Sequence, residues 1–590
     1  MSLNNDLSEL FKNFSRLMEL KGESVFKVIA FQKVSRILND MTFDIRQAFE
    51  KGELDSIEGI GESSRRIISE FIRTGRSTEF DEVATTVPAG LLPMLDIQGL
   101  GPKTIALFWK EKGITSVDAL VKAIDDGSLK GLKGVGDKKL LGIKEALERM
   151  KNASGRLRID EAMSIATDFV ERLRKLPEVA YVEYAGSLRR SRETIGDVDL
   201  ICSGKSPDDG EAIAKVFTQF PEVSKILGQG TTKASILTAR GFQIDIRIVP
   251  QENFGAALLY FTGSKEHNVR LRGRAIDQGM TLNEWGLYKQ TDYDKAQKKT
   301  GEAPDAKPVA SKTESDVYRK LGLQFIAPEM REDRGEIDAA ETDTLPTLIE
   351  LSDVRGDLHC HTTASDGRHT IEQMVEAAIE MGYAFLAITD HSKSQVQAHG
   401  LSVERLLAHV KAIHDVGRKY KEITLFAGCE VDILADGRLD YEDEVLAELD
   451  FIVASPHHAL TQNEAKATDR IVRAIEHKYV NVIGHPTGRR VEVRAPLPLQ
   501  FDRVFKAAAA AGTALEINAN ADRLDLNDVN ARAAAQAGVK ISINTDSHDI
   551  ASFPDMRYGI GVARRAWLTA GDVINCMDVK ALKKFIAAKR

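Results

Sequence analysis

The chain has 590 residues, enough for several domains that each bury a core. Its 43% apolar and 28% charged residues exclude global disorder, and it holds no apolar run long enough to cross a bilayer, so no membrane partner is expected. A net charge of -8 excludes any general attraction to nucleic acid, so contact with DNA has to come from local patches. Four cysteines without paired spacing and no amino-terminal signal pattern lead us to expect a cytoplasmic, reducing location. Histidine divides the chain: of 13, only His267 precedes His359, so two different chemistries are expected.

Residues 1–84 read as short amphipathic helices, with Leu, Phe and Ile in helical spacing over 7–20 and 26–38. Three turns then share one pattern: Ile57-Glu58-Gly59-Ile60-Gly61, Ile97-Gln98-Gly99-Leu100-Gly101 followed by Pro102-Lys103, and Leu132-Lys133-Gly134-Val135-Gly136. One Gly-x-Gly is usually a helix C-cap or an ordinary turn. Three within 80 residues argue for turns that present backbone N–H groups to a phosphate, a contact that reads charge and shape and not base sequence. They resemble the helix-hairpin-helix module, which implies DNA contacts at Gly59, Gly61, Gly99, Gly101, Lys103, Gly134 and Gly136.

From Val179 an alternating strand runs to Gly186-Ser187-Leu188-Arg189-Arg190, and a second strand opens at Gly196-Asp197-Val198-Asp199-Leu200. Residues two apart on a strand share a face, so Asp197 and Asp199 project together and repel unless a cation lies between them. Gln243-Ile244-Asp245-Ile246-Arg247 supplies a third carboxylate. A lone Asp-x-Asp would be an ordinary strand end. With a Gly-Ser turn, two arginines and Asp245, the set suits in-line phosphoryl transfer with Mg²⁺ or Mn²⁺.

Further on come Tyr260-Phe261-Thr262-Gly263-Ser264, Asn268, Arg272 and Leu282-Asn283-Glu284-Trp285-Gly286. Residues 288–312, rich in Lys, Asp, Thr and Ala, are expected to be a solvated insertion, and 337–352 a linker.

After Val354, seven short apolar runs alternate with helical stretches, and each ends in polar groups. The ends carry His359 and His361, Asp390 and His391, Glu430 and Asp432, His457 and His458, His485, Glu516 and Asn518, and Asp546 and His548. Parallel strands alternating with helices, with functional groups at the strands' carboxyl ends, predict a seven-stranded β/α barrel. Mixed His, Asp and Glu donors favour Zn²⁺, Mn²⁺ or Fe and point to water activation and phosphoester hydrolysis.

Taken together the motifs resemble bacterial family X DNA polymerases with a carboxy-terminal PHP (polymerase and histidinol phosphatase) domain, over nearly the whole chain. The resemblance implies a multidomain α+β and α/β protein. Its parts would be a helical DNA-binding domain (1–84), fingers (85–154), a nucleotidyltransferase palm (155–250), a thumb (251–336), a linker (337–352) and a PHP phosphoesterase barrel (353–590). It implies metal binding and catalysis by Asp197, Asp199 and Asp245, and nucleotide binding by Gly186, Ser187, Arg190, Gly196, Tyr260, Phe261, Gly263, Asn268 and Arg272. Ser187 and Arg190 would hold the triphosphate, and Tyr260 and Phe261 would exclude a ribose 2′-hydroxyl. In the barrel it implies two or three Mn²⁺, Zn²⁺ or Fe ions on His359, His361, Asp366, His391, Glu430, His457, His485, Asp546 and His548.

The implied activity is short-gap filling in base excision repair, from deoxynucleoside triphosphates on gapped or primed duplex DNA. A 3′-to-5′ exonuclease and abasic-site cleavage would accompany it, in a monomer of the cytoplasm that joins the nucleoid when on DNA. Four positions depart from the best-known members. Ile195, Lys265 and Gln243 replace a serine, an aspartate and an arginine, and Ile67 stands where a lyase lysine would form a Schiff base, so weak or absent deoxyribose-phosphate lyase activity is expected. Arg489 and Asn518 read equally as phosphate contacts or as an ordinary salt bridge and cap; His399, His409, His414, His458 and His477 read as structural. Two competing readings are a small-molecule phosphatase fused to a template-independent nucleotidyltransferase, and a non-catalytic DNA-binding scaffold. The three glycine turns argue against the first and the intact carboxylates against the second.

Overall fold

The computed structural model describes residues 3–589, apart from 42–43, 98–99, 297–302 and most positions of 130–154. It forms two compact units, Met1–Gly155 and Arg156–Arg590.

The amino-terminal unit is helical and has two cores that share its first helix, Leu3–Lys21. Leu7, Phe11, Phe14 and Met18 recur at helical spacing and pack with Phe31, Leu38, Ile45, Ile67 and Ile68. Leu17 and Leu20, offset around the helix, join Leu91, Ile105, Phe108 and Leu120 instead. Each glycine turn ends where a helix starts. Gly61 precedes Glu62–Thr74 and Gly101 precedes Pro102–Lys112, while the carbonyls of Gly61, Gly101 and Gly136 each accept the N–H four residues on (3.0, 3.1 and 3.1 Å). Gly59 sits at φ +87°, a conformation that favours glycine. Gly99 and Gly134 lie outside the described residues.

The second unit begins with a five-stranded sheet ordered Val179–Tyr184, Asp197–Gly204, Gln243–Ile248, Lys233–Thr238, Val223–Gln229. The second and third of these strands run parallel and the other pairs antiparallel. Helices Ile159–Arg174 and Gly210–Thr218 bury their apolar stripes in the same core as the sheet through Ala162, Ala166, Phe169, Ile213 and Phe217. Helices Phe254–Thr262, Lys265–Asp277 and Glu314–Lys320 and the hairpin Met280–Asn283/Gly286–Lys289 follow, gathered around Leu271, Leu287, Val317, Tyr318 and Leu321.

The expected solvated insertion 288–312 and the expected linker 337–352 are each anchored at particular residues. Tyr288 is buried, and Leu287 exchanges backbone hydrogen bonds with Val309 and Ala310 at the two ends of the expected insertion. In 337–352, helix Glu336–Glu341 buries Ile337 and Ala340, and buried Ile349 donates its N–H to the Leu568 carbonyl (2.9 Å). Composition missed both, because a few apolar residues among many charges suffice to anchor a segment.

Seven parallel strands then form the barrel: Gly356–Asp357, Phe385–Ile388, Thr424–Asp432, Phe451–Ser455, Val482–Ile483, Ala514–Asn518 and Ile541–Asn544. The last strand reaches back to the first through a parallel bridge between Cys360 and Ser547 and a His361 N–H to Ser547 carbonyl bond of 2.8 Å. Strand interiors are fully buried, as expected for a sheet covered by helices. Palm and barrel residues belong to one apolar core, and buried Arg565 of the barrel helix Met556–Arg565 locks them. It donates to Glu332 (2.8 Å), Asp528 (2.9 Å) and the Arg190 carbonyl (2.7 Å).

Two candidate active sites

In the palm, strand pairing sets Asp197 opposite Gln243 and Asp199 opposite Asp245. Gly186, at φ +63°, opens the short helix Gly186–Arg189 hard against Asp199: a Cβ there would stand 2.6 Å from the carboxylate oxygen. Only glycine allows that approach. Burial, then Asp197 and Asp245, push the Asp199 carboxyl up to about 7, and burial and Asp245 raise Asp197. Asp245 accepts from Gln243 Nε2 (3.0 Å) and faces Lys233 Nζ at 3.3 Å. Burial and mutual repulsion outweigh the nearby Lys233, Arg156 and Arg247 at Asp197 and Asp199, and hard oxygen donors left under-compensated in this way fit a divalent cation.

The two arginines of the Gly-Ser turn face the thumb. Arg189 donates to Glu314 (2.8 and 2.7 Å) and Thr262 Oγ1 (2.8 Å), while Arg190 donates to Glu332 (3.1 Å) and the Thr262 carbonyl (2.5 Å). The charge of Arg190, the residue expected to hold a triphosphate, is answered in this structure by Glu332, 142 residues along the chain. Gly263, at φ +70°, lies against that guanidinium. Tyr260, Asn268 and Arg272 come together around one small pocket with Asn283, and Asn268 donates to the Tyr260 carbonyl (2.7 Å). Phe261 packs edge-on against Tyr260 and beneath the Arg247 guanidinium. Of the departures, Ile195 is buried in the palm core and Lys265 opens helix Lys265–Asp277.

In the barrel all nine expected ligands meet. Their donor atoms form three overlapping groups, each within 4.8 Å: His361, Asp366, His391 and His548; His359, His361, Glu430 and Asp546; His391, Glu430 and His457. His485 joins through Glu430 at 3.0 Å. Two ligands, His485 and Asp546, are held at positive φ, a strain typical of functional sites. His391 Nδ1 and Glu430 Oε2 lie 2.8 Å apart, yet neither makes a hydrogen bond, and His359 Nε2, His361 Nδ1 and His485 Nδ1 are buried without one. Donors that crowd together while leaving lone pairs unanswered fit cations.

A second ring of carboxylates, not assigned from sequence, holds the ligands. His359 Nδ1 donates to Glu516 (2.8 Å), which also accepts the His485 N–H (2.7 Å) and Asn544 Nδ2 (2.8 Å). Asp432 accepts from His457, and Asp390 from His409 and Thr362. Burial drives the His361 and His485 imidazoles down to about 4; His457, despite burial, is held up to about 9 by Glu430 and Asp432. These partners had one sequence signal, their place on the same strand ends. Asn518 donates to Asp546 and Glu516, and Arg489 to Glu193 of the palm, so in this structure the first orients ligands and the second is a salt bridge. His409, His414 and His477 pair with Asp390, Asp450 and Asp443 as structural residues do; half-exposed His458 lies 3.2 Å from Asp432.

Comparison with known proteins gives the family of the chain. Family models match a DNA polymerase beta thumb at residues 257–332, a PHP domain at 357–520, a helix-hairpin-helix domain at 2–77 and a SAM-like helix-hairpin-helix tandem at 91–149. The chain is 36% identical to the DNA polymerase/3′-5′ exonuclease PolX of Bacillus subtilis (strain 168) over 98% of its own length and 99% of that protein. It is 26% identical to the DNA polymerase lambda of Rattus norvegicus over 48% of each chain, and 27% identical to a probable phosphatase of Thermoanaerobacter sp. (strain X514) over 40% of this chain and 95% of that one. The chain belongs to the bacterial family X DNA polymerases that carry a PHP domain.

Proposed function

We propose that this protein is a DNA-directed DNA polymerase that fills short gaps in DNA repair, and that its barrel is a 3′-to-5′ exonuclease which also cuts abasic sites. The carrying observation is the coexistence in one compact unit of the Asp197, Asp199 and Asp245 face with a nine-ligand barrel centre. In the palm, a primer 3′-hydroxyl attacks the α-phosphorus of a deoxynucleoside triphosphate and pyrophosphate leaves. Ser187 and Arg190 hold the triphosphate, with Gly186 and Gly196 letting the backbone approach it; Tyr260 and Phe261 exclude a ribose 2′-hydroxyl, and Gly263, Asn268 and Arg272 frame the nascent pair. In the barrel, water adds to the terminal phosphodiester and the 3′ nucleotide leaves. Divalent cations, Mg²⁺ or Mn²⁺ in the palm and two or three of Mn²⁺, Zn²⁺ or Fe in the barrel, would supply charge neutralisation and an acidified hydroxyl or water. Gly59, Gly61, Gly101, Lys103 and Gly136, with Gly99 and Gly134, grip the duplex backbone. The protein acts as a cytoplasmic monomer, reaching the nucleoid on its substrate.

The phosphatase reading draws on a relative that covers 40% of this chain, against 98% for the polymerase/exonuclease. The test is a gapped duplex with Mn²⁺, scored for extension and 3′ degradation in wild type, Asp199→Ala and His391→Ala. Extension should fail only in the first variant and degradation only in the second. Absence of both reactions in wild type would sink the reading.

A further inference from the structure

A line of arginines used by neither candidate site joins the two. Strand Leu157–Arg158 pairs antiparallel with Thr194–Ile195, setting Arg158 opposite Thr194, three residues before Asp197. Arg156 donates to the hydroxyl and carbonyl of Thr194 (2.9 and 2.5 Å) and lies against Gly196, 3.1 Å from where a Cβ would stand. Arg158 reaches the barrel, 3.5 Å from Asp522, and Asp522 accepts from Arg490 at 2.6 Å. Arg490 and Arg494 close a tight turn, each N–H bonded to the other's carbonyl (3.0 and 2.8 Å). Arg523, beside Asp522, ends the line 3.5 Å from Asp546 of the metal cluster. The walls are fixed to each other by Arg489 of the barrel and Glu193 of the palm at 2.6 Å.

Asp160 pairs with Arg158, Asp522 with both Arg158 and Arg490, and Asp546 with Arg523, which offsets part of this charge. Arg156, Arg490 and Arg494 remain exposed to solvent, and at Arg494 the repulsion from Arg523 and Arg490 exceeds the pull of Asp522 and Asp525. A chain with a net charge of -8 thus concentrates positive charge along one path between two phosphoryl-transfer sites. Folding does not require such clustering of like charges, whereas a polyanion would be held by it. The barrel ligands His359, His361 and Glu430 are fully buried, so a duplex terminus is too wide to reach them and a single strand is the form that fits.

We propose that the arginine line is a track for one DNA strand, along which a frayed 3′ end passes between palm and barrel without release from the protein. The track rests on the functional reading above. Point-charge contacts to the backbone hold every base sequence alike and let the strand slide.

The test uses the full chain and a gapped duplex whose primer ends in a mispair. Excess unlabelled DNA is added together with Mn²⁺ and deoxynucleoside triphosphates, so that a released primer is not rebound. Wild type should excise and then extend within one encounter. The triple variant Arg158→Ala, Arg490→Ala, Arg494→Ala should lower that trap-resistant product about tenfold. Extension of a paired primer and degradation of a single-stranded 3′ end, each with enzyme in excess, should stay within about twofold. Lysines at the three positions keep the charge and should restore transfer. The track is overturned if the alanine variant transfers like wild type, if lysine fails to restore transfer, or if wild type yields no trap-resistant product while both separate reactions proceed. If wild type lacks either separate reaction, the functional reading fails and takes the track with it.

Discussion

Asp199 faces Asp245 directly across two parallel palm strands, and the pair is half-buried with Asp197 close enough to help raise the Asp199 carboxyl to about 7. A carboxyl raised in the folded state favours folding while protonated. That contribution fades as pH climbs from the ordinary carboxylate range to about 7, and above it the ionised group destabilises the cation-free protein. Asp199→Asn should therefore raise the melting temperature without divalent cation at pH 8 by about 2 °C or more, and abolish primer extension. Thermal melts with a chelator, beside an extension assay, check both; an unchanged or lower melting temperature would contradict the assigned repulsion.

Glu516 orients two barrel ligands without being one, since His359 Nδ1 and the His485 N–H both end on it. Glu516→Gln should weaken metal binding in the barrel roughly 10- to 100-fold and slow 3′ degradation, leaving extension intact. Metal titration followed by elemental analysis measures the affinity; equal loss of extension would mean a global defect.

Glu332 ties the palm to the barrel. Burial alone would raise its carboxyl, but Arg565 and Arg190 overcome that and hold it down to about 2. A depressed carboxyl contributes stability above its ordinary value of 4.5, and that stability is lost as pH falls from there toward 2. Glu332→Gln leaves buried Arg565 with Asp528 as its remaining carboxylate and should cost about 3 kcal/mol at pH 7. The penalty should shrink on acidification through that window. Denaturant unfolding across pH, wild type against variant, reads it out, and a penalty independent of pH would refute the pairing.

Ile67 is buried with Phe11, Phe14 and Ile68, where a lyase would place its amine. Borohydride should trap no covalent adduct with a 5′-deoxyribose-phosphate end. A trapped adduct, located by mass spectrometry, would show that another lysine serves.

The convergence of the barrel's polar groups was legible because strand periodicity sends each run to the same end of the sheet, whereas the choice of nine ligands among them, with Asp366 on a turn and not a strand, came from the family resemblance. The aspartate pair was legible for the same reason: residues two apart share a face. Arg190 was not. Its side chain turns to Glu332, and no local pattern around Gly186 reports a carboxylate in the thumb. The strand-end position of Glu516, Asp390 and Asp432 was legible but their role was not, because an acidic residue beside a ligand looks alike whether it binds metal or holds the imidazole that does. The stretch 337–352 misled because composition measures average polarity, whereas packing depends on a few side chains such as Ile337 and Ile349.

By itself the amino-acid sequence determined the glycine turns, the shared face of the palm carboxylates and the seven barrel runs with polar groups at their ends, all features written in short-range spacing that local backbone geometry converts directly into a shared face or a strand end. Only the tertiary structure decided that palm and barrel form one unit sharing a core, that buried Arg565 clamps them, and that arginines from separate segments meet between the two candidate sites. Those relations join residues hundreds of positions apart, and contacts at that separation arise from how whole elements pack, which no local period encodes.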